Sequence, residues 1–225
     1  MDPILSATQK RLLATIFDRG ADSASQALSH WLGRPVRLVV SAVEQVGLEE
    51  ASEMLGPGET LVAACPMELA GGLTGQLILV FEDRAGLALV DLLLRQAIGT
   101  TSGWGELEQS AAKETANIVG CAYLNSLAAH LPALSGRAER DARTLLPSPP
   151  GFRHEFAASL LEFALMDQAL SSDKLLVINS MFSSEEAKLE WSLLFVPSGE
   201  SLSNLCAALG SLESTASYDV LYDSL

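Results

Sequence analysis

One pattern occurs twice in this chain. GGLTGQLILVFEDRAGLALVDLLL (residues 71–94) and AKLEWSLLFVPSGESLSNLCAAL (residues 187–209) each pass from a strand through a short polar turn into an apolar-periodic helix. A helical stretch lies upstream of each, over residues 9–32 and 106–130, and β-branched or apolar runs follow it, RPVRLVVSAV and KLLVINSMF being the clearest strands. Two such units can pair their strands into a single sheet. The duplication therefore predicts an α+β fold, in which two α-β-β-β-α units form one antiparallel sheet flanked by long amphipathic helices. The units cover about residues 1–98 and 106–212 and make a single domain. Residues 132–152, punctuated by prolines, are expected to be a loop or extended crossing segment. Residues 213–225, acidic and without a clear period, are expected to be a tail.

The 225 residues suffice for a buried core, and 48% hydrophobic residues with a positive mean hydropathy exclude a disordered chain. No apolar run reaches the roughly 18 residues that a membrane span needs. The formal charge of -14 repels phosphate backbones and anionic lipid, so nucleic acid and membrane are not expected partners. The amino terminus lacks a signal-peptide pattern, and Cys65, Cys121 and Cys206 show no CxxC or CxxH spacing. A reducing cytoplasm is the expected compartment.

Within the second upstream helix, SAAKETANIVGCAYLNSLA sets three polar residues into an alanine-rich run. At about 100° per residue, Ala111, Ala112, Thr115, Ile118, Val119, Ala122 and Ser126 fall on one face suited to close packing on a sheet. Ser110, Glu114, Asn117 and Cys121 fall on the opposite stripe, with Leu124 and Ala128 beside them. An exposed stripe is polar whether or not it has a function, so the helix alone does not decide its role. The first half differs: Arg11, Thr15 and Asp18 stand where Ser110, Glu114 and Asn117 stand in the second.

The serine, three residues, glutamate, two residues, asparagine pattern, followed at a distance by Pro150 in LLPSPP, resembles the signature of the CheC/CheX/FliY family of chemotaxis phosphatases. ALSHWLGR in the first half is also similar to CheC-type sequences, so the resemblance spans nearly the whole chain. Two features depart from the family pattern. The spacing from Asn117 to Pro150 is longer, through an insertion within residues 132–143, and the first half has lost both the glutamate and the asparagine.

What the resemblance implies is hydrolysis of the aspartyl-phosphate on a CheY-type response regulator. An acyl phosphate is already activated, so a water placed in line and charge stabilisation around the phosphoryl oxygens are the main needs. A carboxamide donates and accepts hydrogen bonds without adding negative charge, which suits Asn117 to orienting the water. Glu114 suits docking to a lysine of the receiver, with Ser110 and Pro150 in supporting roles. The chain needs no cofactor of its own, and the Mg²⁺ is expected in the receiver. The rival expectation is a non-catalytic binding module for a CheD-type deamidase or a receiver domain. Leu124 and Ala128 either extend the stripe as an apolar docking strip or are ordinary surface residues.

The remaining motifs are silent. His30, His130 and His154 have no metal-ligand spacing, Cys121 has no histidine near it to make it a nucleophile, and GPGETL and ELAGGLTG lack the lysine and following helix of a phosphate loop.

Overall fold

A computed structural model of the chain describes residues 4–131, 145–166 and 174–222. The insertion expected within residues 132–143 lies outside them. The first half runs α1 (Ala7–Leu32), β1 (Arg37–Gly47), α2 (Leu48–Met54), β2 (Leu61–Ala70), β3 (Gly75–Glu82) and α3 (Asp83–Leu93). The second runs α4 (Glu106–His130), β4 (Leu146–Pro147), β5 (Arg153–Phe156), α5 (Ala157–Met166), β6 (Lys174–Ser183), β7 (Lys188–Pro197) and α6 (Gly199–Tyr222).

All seven strands join one antiparallel sheet in the order β1-β6-β7-β3-β2, with β4 and β5 both on the outer edge of β2. The halves meet at β3 and β7, where Ile78 pairs with Leu194. Each then donates its first strand to the other: β1 pairs with β6, while β4 and β5 pair with β2. This exchange makes the sheet one object.

The sheet is covered on both faces, which is why β3 reads as an unbroken apolar run rather than an alternating one. Leu77, Leu79 and Phe81 face the core beneath α1 and α4, while Ile78 and Val80 face a smaller core with Ala51 of α2 and Leu160 of α5. The α-β-β-β-α expectation omitted α2 and α5, because neither segment is long enough to display a helical period. α6 continues to Tyr222, beyond residue 212 where the repeat pattern fades.

Local chemistry sets the long helices. Ser6 and Gln9 form a reciprocal capping box at the start of α1, and Gly33, in the left-handed region with φ 68°, ends it. α1 and α4 lie against each other so closely that a Cβ on Gly20 would sit 2.8 Å from Tyr123 Cδ1. Tyr123 in turn shares a hydrogen bond of 3.0 Å with Ser180 on β6, and the Ser126 hydroxyl donates to the Ile16 carbonyl. α4 is thus clamped to its neighbours along one face, and its other face is fixed in position.

The link from α3 to α4 is held by a buried carboxylate. Asp91 accepts backbone N–H groups from Gly99, Thr100 and Thr101 at 2.7 to 3.1 Å. Burial alone would raise its pKa, but the bonds from Thr101, Gly99 and Thr100 outweigh burial and hold the carboxyl below its ordinary value.

Candidate functional site

α4 runs along β2. Lys113 lies close enough for its charge to act on the buried Cys65 thiol, and Gly120 rests against Met67 and Leu77. Asn117, between them, falls at about the level of Pro66. The Gly151 N–H donates to the Pro66 carbonyl at 2.9 Å, so Pro150 sits at that level on the outer edge of the sheet. The run is pinned further by Ser148, whose hydroxyl accepts from Glu68 N–H. Trp104, just before α4, packs on Phe152 at 5.0 Å between ring centroids and donates to Asp83, which His154 also contacts. These contacts tie the start of α4 to the proline segment.

Ser110 and Glu114 are exposed and make no side-chain hydrogen bond among the described residues, and Asn117 is half-buried. The Cys121 thiol lies 3.6 Å from Asn117 Oδ1, one turn further on. Half-burial first, and then the Glu114 carboxylate, raise the Cys121 pKa, so the thiol stays protonated and is no nucleophile. Cys65 is pushed up to about 12 by burial.

Leu124 corrects the apolar-strip reading. It is 2% exposed and belongs, with Leu145, to the core cluster that α4 forms beside β4, and Ala128 packs against the same cluster. Helical spacing put Leu124 on the outward stripe, but it lines a small buried gap with Phe17, Leu73, Leu77 and Phe195.

In the first half the equivalent stripe is employed by the fold. The Val40 N–H donates to Asp18 Oδ1 at 3.2 Å, Leu38 N–H to the Ser25 hydroxyl at 2.8 Å and Val36 N–H to the Ser29 hydroxyl at 2.9 Å. These alternate residues present their N–H groups on the side of β1 away from β6, so α1 satisfies an edge that would otherwise be open to pairing. No sequence pattern shows this, because a polar residue facing water and one facing a strand edge look alike.

Among the described residues no three His, Cys, Asp or Glu side chains come together to hold a metal ion, and no helix is long and apolar enough to cross a membrane. A cavity of about 320 Å³ lies on the other face of the sheet, among Glu82, Asn179, Glu190 and Ser192. No residue of the α4 stripe lines this cavity.

No protein-family model matches the sequence. The chain is 22% identical over 210 residues to the CheY-P phosphatase CheC of Bacillus subtilis, a match covering 90% of this chain and 94% of that protein. The resemblance to the CheC/CheX/FliY family read from the sequence is thus supported by a curated relative. Thermotoga maritima FliY has the same fold, with a TM-score of 0.70 at 18% identity over 93% of this chain and 99% of that one. A chain of the FliM–SpeE complex from H. pylori matches at a TM-score of 0.66 and 13% identity, over 92% and 97% of the two chains. The α+β fold with one antiparallel sheet is that of this CheC-like group. Because FliY and FliM share it, fold alone does not assign an activity, and the α4 stripe must carry that step.

Proposed function

We propose that this CheC-like chain hydrolyses the aspartyl-phosphate of a CheY-type response regulator, using Glu114 and Asn117 on α4. The observation that carries the reading is the difference between the two stripes. Asp18 is occupied by β1, whereas among the described residues Ser110 and Glu114 are unpaired and Asn117 is engaged by Cys121 alone. The name of the Bacillus subtilis relative, a CheY-P phosphatase, supports the substrate class.

In the reaction a water oxygen attacks phosphorus while the bond to the receiver's aspartate oxygen breaks. The products are inorganic phosphate and the free carboxylate. Asn117 orients the water in line, a gain from positioning rather than from covalent chemistry. Glu114, one turn away, pairs with a receiver lysine and fixes the register in which the amide enters. Ser110 contacts the partner at the rim, and Pro150 shapes the edge beside Asn117. The Mg²⁺ that neutralises the phosphoryl oxygens is the receiver's, not this chain's.

The test is loss of radiolabel from phosphorylated receivers, with and without the protein. Faster loss from one receiver, abolished by Asn117→Ala in a folded protein, is the expected result. If no receiver turns over faster, the chain is a binding platform for a receiver or a CheD-type deamidase, and the catalytic assignment is wrong.

A further inference from the structure

Among the described residues the Asn117 side chain makes one hydrogen bond, and that bond favours one end of its carboxamide facing outward. Cys121 Sγ lies 3.6 Å from Asn117 Oδ1. A thiol can donate one hydrogen, and an amide nitrogen has no lone pair free to accept it. The opposite orientation would offer N–H to a sulfur that accepts only weakly and would leave the thiol hydrogen without this acceptor, so the contact favours the oxygen. The thiol keeps its hydrogen through the neutral range, because half-burial and the Glu114 carboxylate both oppose its ionisation. Nδ2, the donor end, has no partner among the described residues. In the first half the residue four positions after Asp18 is Asp22, which has no hydrogen to give when ionised, and Asp18 turns to the Val40 N–H instead.

We propose that Cys121 is a positioning residue for Asn117, holding Oδ1 so that the amide presents its Nδ2 hydrogens to the oxygen of the attacking water. A water that accepts one such bond keeps a second lone pair for phosphorus. An amide free to turn would divide its time between donor-out and acceptor-out states, and only the first holds the water this way. The inference rests on the phosphatase reading of Asn117, and the experiment below separates the two.

Three variants of the full chain decide it: Cys121→Ala, Cys121→Val, which keeps the bulk without the donor, and Cys121→Ser, which keeps a donor. The readouts are kcat and KM on the phosphorylated receiver, and the Asn117 side-chain amide signals in 1H–15N spectra of the free protein, identified by their absence in Asn117→Ala. A weak S–H bond is worth a factor of about three in kcat. The alanine and valine variants should lose it with KM unchanged and should move the amide signals, while the serine variant stays near the parent on both counts. Parent-like kcat and amide signals in Cys121→Val would show that the side chain only fills space and would overturn the proposal. Loss in Cys121→Ser as large as in Cys121→Ala would overturn it too. Absence of receiver turnover by the parent refutes the phosphatase reading instead. The amide signals then judge the orientation alone, and unmoved signals in Cys121→Ala refute that as well.

Discussion

α1 and α4 hold equivalent places in the two halves, and their polar stripes have opposite fates. In the first half β1 is an unbroken edge strand, and α1 spends Asp18, Ser25 and Ser29 on its outward N–H groups. In the second half the corresponding strand is broken into β4 and β5, and the run between them contains Pro149 and Pro150, which have no N–H to satisfy. Its remaining N–H groups at Ser148 and Gly151 are taken by Glu68 and Pro66 of β2. The run beside α4 therefore asks nothing of the helix, and among the described residues Ser110 and Glu114 make no side-chain hydrogen bond while Asn117 meets Cys121. Duplication lets one copy do the sealing while the other is released.

The sharpest way to break this comparison is Asn117→Ala, which should cut receiver dephosphorylation by about a hundredfold or more, as expected for a lost positioning group, with unchanged thermal unfolding. Asp91→Asn, at the junction of the halves, should cost about 2 kcal/mol in denaturant unfolding. Because the folded carboxyl is held low, its stabilisation is complete above about pH 4 and is lost as pH falls through the folded value. The variant should therefore show a shallower loss of stability in acid than the parent. Glu114→Ala should raise KM about tenfold through the lost ion pair with the receiver. Ser25→Ala should cost about 1 kcal/mol of stability by orphaning the Leu38 N–H, without changing turnover. Asp18→Ala is the smallest in activity, with turnover staying within about twofold, roughly 0.4 kcal/mol in barrier. An Asp18 effect as large as that of Asn117 in a folded protein would mean that both stripes are catalytic.

The sequence by itself determined the elements whose signal is local. The period of residues 106–130 coincides with α4, the strand–turn–helix repeats coincide with β3–α3 and β7–α6, and the spacing of Ser110 and Glu114 sets both on the exposed side of α4. Only the tertiary structure decided the rest. The exchange of β1 with β4 and β5 depends on strands from different halves, and nothing within a strand names its neighbour. α2 and α5 are too short for a period to emerge, and Leu124 is buried beside Leu73, Leu77 and Phe195, which lie far from it in sequence. Asp18 and Asn117 occupy the same turn of equivalent helices. What separates a structural carboxylate from an available amide is whether an open strand edge lies beside it, and that is set by packing, not by the helix's own residues.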